Sequence, residues 1–491
     1  METIYDISEP GKKACSLPRL DVLEKDIPYL IPKKHLRGRI PRLPEVTEGE
    51  IARHFTNLSN TNFAVDTVFY PLGSCTMKYS PKVNELLSKM EGFSDIHPYQ
   101  DESQVQGALR IMYELAEWLA EIGGFTKVSL QPAAGAHGEL TGLAMIRAYH
   151  EHNGNPRQKV IIPDSAHGTN PATAAMLGYK VVQVPSDKYG GVDVNALEKL
   201  LDDQVAAIFL TNPNTLGIFD RNILKINEMV HSVGALSYCD GANLNAILGK
   251  SRPGDMDFDV LHFNLHKTFS TPHGGGGPGS GPVGVNKILE PFLPVPVIEK
   301  DDVLDAYYLN YDRPLSIGRI RAFYGNFAVI VKAYCYIKAL GRNGLNHVSD
   351  ISVLNANYLK NKLKRIYDLP YDVPCMHEFV LSASKQKRLG IKARDIAKRL
   401  IDYNIHPPTI YFPLIVDEAL MIEPTETESL RTLDLFIEAM ERIAEEAINN
   451  PEKILEAPHN TAISRLNEAE AARHPRLSCL PSDVIKDGKQ K

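Results

Sequence analysis

From position 105 to about 263 the sequence alternates short apolar runs with stretches of helical periodicity, and few architectures accept that pattern. Apolar runs stand at 128–130, 159–162, 180–184, 205–210, 235–239 and 258–263. Helical spacing fills the intervals near 137–150, 171–177, 193–201 and 222–232. Ahead of them, Val105, Leu109, Met112, Leu115, Ala116, Leu119 and Ile122 recur at helical spacing before Gly123-Gly124 ends the run. Strands that alternate with helices build βαβ units around a mostly parallel sheet, so an α/β fold is expected.

The flanks read differently. Residues 1–104 are punctuated by Pro18, Pro28, Pro32, Pro41 and Pro44 and have only short helical signals, which implies an extended arm in contact with another surface. The large domain is expected over 105–345, closing with a helix near 323–341. A smaller α+β domain is expected over 346–491, with helices at 352–366, 392–403 and 428–449 and strands at 377–383 and 419–423.

Composition narrows the function classes. The 491 residues carry 60 acidic and 54 basic side chains, a net charge of -6, which is not the basic footprint of a nucleic-acid binder. A mean hydropathy of -0.21 and no apolar run near 18 residues argue against a membrane-spanning helix. The six cysteines include no CxxC pair, so neither a disulfide scaffold nor a cysteine zinc site is expected. A reducing, cytoplasmic setting fits this usage and a start that lacks the signature of a targeting peptide.

Chemistry-bearing residues gather where the strands should end. Lys267, in Asn264-Leu265-His266-Lys267-Thr268-Phe269, stands just past the sixth run, where open α/β sheets bind ligands. A lysine desolvated there can lose its proton and act as a Schiff-base nucleophile, although most lysines are solvated surface groups. The glycines of Pro272-His273-Gly274-Gly275-Gly276-Gly277-Pro278-Gly279 lack the Lys-Ser/Thr ending of a nucleotide P-loop. Asp240 ends the fifth run. A carboxylate there either caps a turn or meets a cation such as a protonated pyridine nitrogen. Ala134, Gly135 and Ala136 precede a helix, where small residues let backbone N–H groups approach a phosphate or simply make a tight turn. His137-Gly138-Glu139 matches the H-x-E of zinc deaminases, but Pro374-Cys375 is not followed by x-x-Cys, so no metal is expected. His167 follows the second run and offers a ring that could stack on an aromatic cofactor. Thr211 and Asn212, at a further strand end, offer groups for a phenolic oxygen, or a turn. Phosphate, ring, hydroxyl, carboxylate and lysine functions at five successive strand ends form one constellation.

These residues resemble a known family, the pyridoxal-phosphate (PLP) dependent glycine dehydrogenases (decarboxylating), the P-proteins of the glycine cleavage system. The segments that carry the resemblance begin with Gly73-Ser74-Cys75-Thr76-Met77-Lys78, Ala134-Gly135-Ala136-His137-Gly138-Glu139 and Ala166-His167-Gly168-Thr169-Asn170-Pro171. Thr211-Asn212-Pro213-Asn214-Thr215-Leu216-Gly217, Asp240-Gly241-Ala242-Asn243 and Leu265-His266-Lys267-Thr268-Phe269 continue it. The glycine run and Met421-Ile422-Glu423-Pro424-Thr425-Glu426 close it, so the likeness covers about 60–430 in order. It is to the C-terminal half of the single-chain form, the counterpart of subunit 2 in two-subunit enzymes. Ser270 and Thr271 stand where many members have Cys and Ile, and Asp257 where Gly is common.

The resemblance implies fold-type I of PLP enzymes, with Lys267 as the Schiff-base lysine and Asp240 keeping the pyridine nitrogen protonated. It implies that His167 stacks on the ring. Ala134, Gly135 and Ala136 would cradle the phosphate beside His266, and Thr211 or Asn212 would meet the ring hydroxyl. Ser74, Thr76 and His137, with Arg319 or Arg321, are candidates for the glycine carboxylate; for the arginines a structural salt bridge is the equal alternative. Implied partners are a subunit 1, two copies of each chain, and the lipoylated H-protein that receives the aminomethyl group. Two other readings stand beside this one. One is a fold-type I amino-acid decarboxylase that needs no carrier; the other is a PLP-bearing scaffold subunit without activity.

Overall fold

The computed structural model describes residues 2–39, 41–274, 279–475 and 477. They fall into two compact units, one of Val65–Pro458 and one that joins residues up to Ala64 with those from His459. Residues 65–104, read above as part of an arm, lie in the first unit.

The centre of that unit is a seven-stranded sheet. Its strands are β1 (Lys127–Ser129), β2 (Lys159–Pro163), β3 (Lys180–Val184), β4 (Val205–Thr211), β5 (Leu236–Gly241), β6 (Val260–Phe263) and β7 (Val283–Val285). Their order across the sheet is β1-β7-β6-β5-β4-β2-β3. β3, β2, β4, β5 and β6 run parallel, whereas β7 is antiparallel to both β6 and β1. The expected mostly parallel α/β sheet is therefore present. β4 and β5 are buried almost throughout because helices cover both faces, leaving no solvent side for alternation to mark.

Helix Gln106–Gly123 buries Leu109, Met112, Leu115 and Leu119, and Gly124 caps it at φ 77, a left-handed conformation that glycine adopts without a Cβ penalty. The two helices expected near 323–341 and 352–366 are present within Phe327–Leu363 and meet at a kink at Gly341 (φ 59), so the second begins earlier than expected. Two features lack a sequence expectation: β7, and the hairpin of β8 (Val297–Asp301) with β9 (Ala306–Asn310). β8 and β9 are mostly half-buried, so neither shows a clean period of two.

The C-terminal part of the unit is built on β10 (Phe379–Ser382), β11 (Thr409–Ile410) and β12 (Ala419–Ile422), antiparallel in the order β10-β12-β11. Phe69 bridges to Ile405 and Leu72 to Ile422, which lays the segment before Gly73 against this sheet. Helices Ala393–Asp402 and Leu430–Asn449 supply Ile396, Leu400, Leu433 and Phe436 to its core. Phe379 sits in that core, 1% exposed, with Leu420, Ile422 and Phe436. Phe379→Ala is expected to cost about 3–5 kcal/mol of stability, read from denaturant unfolding, because the cavity left cannot fully collapse.

In the other unit, helix Glu48–Asn60 starts on a capping box. The Thr47 hydroxyl accepts from the Glu50 N–H, and Glu50 accepts from the Thr47 N–H at 2.8 Å. Thr47 and Glu50 were the available sequence signal for a helix within the stretch read as an arm. The tail from 478 on, with Cys479, lies outside the described residues.

Candidate active site

Because β2, β4, β5 and β6 are parallel, their carboxyl ends share one edge of the sheet, and the constellation assembles there. Asp240 lies in β5 and Thr211 ends β4. His167 follows β2, and Lys267 stands four residues past β6. Helix Gly135–His152 follows β1, with Ala134 as its N-cap residue. Together they line a cavity with an empty volume of about 550 Å³. Its wall includes Ser74, Gly135, Ala136, His167, Thr211, Asp240, His266 and Lys267.

Asp240 is 4% exposed and fully engaged. One oxygen accepts the Ala242 N–H at 2.9 Å and lies 3.2 Å from His262 Nε2; the other accepts from Asn170 Nδ2 at 3.2 Å. Burial pushes this carboxyl toward protonation, but His262, Lys267 and the two hydrogen bonds outweigh it and hold its pKa below the ordinary value. Asp240 is thus an ionised carboxylate aimed at the cavity. Behind it His262 Nδ1 is 2.7 Å from the Tyr238 hydroxyl, and Tyr238 stacks on Phe209. His262 escaped the sequence reading because it sits inside an apolar run; its register opposite Asp240 was the signal only a sheet alignment supplies.

Lys267 Nζ donates to the Ser74 carbonyl at 2.9 Å. Burial lowers the pKa of neighbouring His266 to about 3 and that of His273 to about 4, helped by Lys267 and, for His266, by His273 itself. Both imidazoles are neutral near pH 7, so Lys267 is not flanked by two further cations. His273 reads the Cys75 carbonyl at 2.9 Å; Gly275, Gly276, Gly277 and Pro278 lie outside the described residues.

The other expected residues divide. Thr211 lines the cavity. Asn212 does not: its side-chain Oδ1 accepts the Asp220 N–H at 2.9 Å. Ser74 lines the cavity, whereas Thr76 gives both its N–H and its hydroxyl to Glu423. His137 Nδ1 accepts the Ala133 N–H at 3.2 Å, and its pKa is lowered by burial and then by Arg321. Arg319 lies outside the cavity lining and donates to the Tyr311 hydroxyl at 3.0 Å. Glu139 is 3% exposed and lines the cavity while accepting from the Thr169 and Thr173 hydroxyls.

Comparison with known proteins bears on what this edge is for. A family model described as glycine dehydrogenase, C-terminal domain, matches residues 348–466, and one described as aminotransferase class-V matches residues 138–276. The probable glycine dehydrogenase (decarboxylating) subunit 2 of Caldanaerobacter subterraneus subsp. tengcongensis is 59% identical over 473 residues, 96% of this chain and 97% of that protein. The protein of the same description from Listeria innocua is 58% identical over 478 residues, 97% of this chain and 98% of its own length. The chain belongs to the glycine dehydrogenase (decarboxylating) subunit 2 family.

Solved structures agree on the fold of this family member. A glycine decarboxylase (P-protein) of the glycine cleavage system in inhibitor-bound form superposes with a TM-score of 0.72 at 20% identity, covering 85% of this chain and 94% of that one. The Lactobacillus brevis glutamate decarboxylase gives 0.64 at 14% identity, covering 84% and 96%. The fold is that of fold-type I PLP enzymes, and PLP is the cofactor of this enzyme class.

The cavity's own chemistry fits that group. At the start of helix Gly135–His152 a Cβ added to Gly135 would lie 2.4 Å from Asn264 Oδ1, so only a bare backbone passes there. A Cβ on Gly281 would lie 2.1 Å from the Ala134 carbonyl, which packs the opposite strand segment directly under the same turn. Facing this turn, Asn264 Nδ2 and His266 Nδ1 are buried without hydrogen-bond partners. The unsatisfied Asn264 amide donor beside a helix N-terminus is what a phosphate group would complete.

Proposed function

We infer that this chain is the PLP-bearing subunit of a glycine-decarboxylating enzyme and passes the aminomethyl group to the lipoyl arm of an H-protein. One observation carries the reading: Lys267, the ionised Asp240 and the Gly135–Ala136 helix start share one cavity in a chain 59% identical to a glycine dehydrogenase subunit 2. When bound, PLP supplies an aldehyde that takes up amines and a cationic ring that withdraws electrons from the bond to the carboxylate.

In this reading the chain's residues have separate tasks. Lys267 Nζ would hold the cofactor until glycine's amine replaces it. Asp240 would keep a proton on the pyridine nitrogen, and His262 with Asn170 fixes the carboxylate for that role. His167 would flank the ring, with Nδ1 tied to the Thr169 hydroxyl at 2.8 Å. The Thr211 hydroxyl, rather than Asn212, would meet the ring's phenolic oxygen. Ala134, Gly135 and Ala136, with Asn264 and His266, would receive the phosphate. Ser74, which lines the cavity, remains the candidate for the glycine carboxylate; Thr76, His137 and Arg319 already have partners.

The overall reaction balances without an external oxidant. Glycine's carboxylate leaves as CO2, and the electron pair left on carbon forms a bond to one lipoyl sulfur. The S–S bond breaks, and the second sulfur takes a proton. The substrate's two electrons thus end in the disulfide.

A subunit 2 has a subunit 1 as its partner; two copies of each is the assembly we favour, in the cytoplasm. Among the described residues no helix is long and apolar enough to cross a membrane. Of the 1–104 stretch we read the part before Val65 as the arm that grips subunit 1, with residues 105–345 as the cofactor-binding domain and residues 346–491 as the C-terminal domain. Leu17, Leu23, Tyr29 and Leu43, each more than two-thirds exposed, support an arm made for contact.

The test is glycine–bicarbonate exchange by the chain reconstituted with subunit 1. Exchange should require lipoylated H-protein. CO2 release at full rate without any carrier would overturn the assignment in favour of a simple decarboxylase.

A further inference from the structure

Behind the turn that carries Ser74, three side chains with no part in the proposed chemistry are completely buried: His377, Glu378 and Glu423. Glu378 immediately precedes β10 and Glu423 immediately follows β12. Because Phe379 pairs with Ile422, the two glutamates emerge side by side. His377 Nε2 lies 3.7 Å from Glu378 Oε1 and 4.0 Å from Glu423 Oε1, and neither ring nitrogen has a hydrogen-bond partner among the described residues.

The donors that reach the two carboxyls come mainly from one turn. Glu378 accepts the Ser74 N–H at 2.7 Å, and Glu423 accepts the Thr76 N–H at 2.9 Å and the Thr76 hydroxyl at 2.7 Å. Asn243 Nδ2 reaches Glu378 more weakly, at 3.4 Å. Ser74 and Thr76 have φ of 65 and 50, in the left-handed region that non-glycine residues rarely enter, so the turn persists because both carboxyls hold it. The Ser74 carbonyl on that turn is the acceptor for Lys267 Nζ.

Charge counting then constrains the protons. Among the described residues, the titratable groups that face the pair are Lys267 past β6, Cys75 on the turn, Cys375 ahead of β10, Glu426 beyond β12 and His377 itself. Lys78 is taken by Glu426 at 2.6 Å, which leaves Lys267 as the single cation near two buried carboxyls. Two like charges this close and this dry do not both persist. Burial raises both carboxyl pKa values, and the Glu423 charge raises that of Glu378 further; Glu423 itself is pushed up to about 7. Burial and then Lys267 lower His377 to about 3, so it faces the pair as a neutral acceptor.

We propose that Glu378 and Glu423 share one proton and that the charge on Lys267 sets how firmly they hold it. A charged Nζ loosens the pair's hold on the proton and an uncharged Nζ tightens it, the proton being exchanged with solvent. The proposal rests on the reading of Lys267 as the cofactor-bearing group, since only a lysine that changes charge alters the pair in turn.

The test is infrared spectroscopy of the full-length, cofactor-free chain carrying carbon-13 glutamate. A protonated-carboxyl band should persist at neutral pH, far above the ordinary glutamate value of about 4.3. Glu378→Gln and Glu423→Gln should each remove the titrating band. Lys267→Met should shift the band's titration upward by about one pH unit or more, because the stabilising cation is gone. Absence of the band at neutral pH, a titration unmoved by Lys267→Met, or a stoichiometric divalent metal in the purified protein would overturn the proposal. If the glutamine variants do not fold, the comparison of wild type with Lys267→Met still decides. Adding PLP to wild type and recording its visible absorption reports separately on the cofactor reading, so the two ideas can fail independently.

Discussion

Lys267→Ala is expected to abolish the visible absorption band that PLP acquires on the enzyme and to lower glycine–bicarbonate exchange by on the order of 10⁴-fold or more, as loss of a covalent catalyst does. The fold should survive. Nζ makes one hydrogen bond, to the Ser74 carbonyl, and the adjoining backbone is held by its own contacts, including Thr271 N–H to the Leu265 carbonyl. Circular dichroism and unfolding midpoints near those of wild type, together with lost absorbance, would place the defect in the chemistry. A variant that retains both the band and full exchange would remove Lys267 from the site.

Asp240→Asn is expected to produce the next largest loss, about 10²–10³-fold in turnover, the scale seen when one preorganised electrostatic group is neutralised. The amide keeps the shape and one acceptor, so binding of PLP should weaken less than turnover falls. His262 should feel the change as well, because its Nε2 then faces an uncharged neighbour. The stability consequence has a definite sign. Folding lowers the Asp240 pKa, so the unfolded chain binds that proton more tightly. The carboxylate's contribution is therefore present above about pH 4 and fades as the pH falls through the folded value. Acid unfolding of Asp240→Asn should lack that component. Unchanged turnover at full cofactor occupancy would show that the ring does not need this charge.

Much of the fold could be read from local pattern. Strand–helix alternation locates β1 to β6, most plainly β2, β4, β5 and β6, which are buried along nearly their whole length. The capping glycine and the apolar spacing likewise locate helix Gln106–Gly123. β7 escaped because three residues, Val283–Val285, carry no usable period. It matters all the same: β7 sits between β6 and β1 and so sets the distance from Lys267 to the Ala134–Ala136 turn. The two helices read near 323–341 and 352–366 stand on either side of a kink at Gly341; the second begins earlier than expected because a glycine at φ 59 turns the chain in a single residue.

Asp257 shows how a departure from the family pattern is absorbed. It stands where Gly is common and adopts φ 64, a conformation that Asp tolerates better than most residues. Ser270, at φ 56, is buried and donates its hydroxyl to the Tyr79 carbonyl at 2.6 Å, so this difference also has a structural role of its own.

Lys267, Asp240, His167 and the Ala134–Ala136 turn were legible from the linear chain because motif chemistry is local: each stands at a strand's carboxyl end or in the loop that follows it, and parallel strands bring such positions to one edge. The roles of Glu378, Glu423 and His262 were not, because they arise from pairing between distant segments. Ser74 meets Lys267 across 193 residues and Glu378 across 304, and Thr76 meets Glu423 across 347. Hydrophobic periodicity dictates which face of an element is buried. It carries no record of which buried charge will face which, and that was left to sheet register and to the packing of the 73–76 turn between β12 and Lys267.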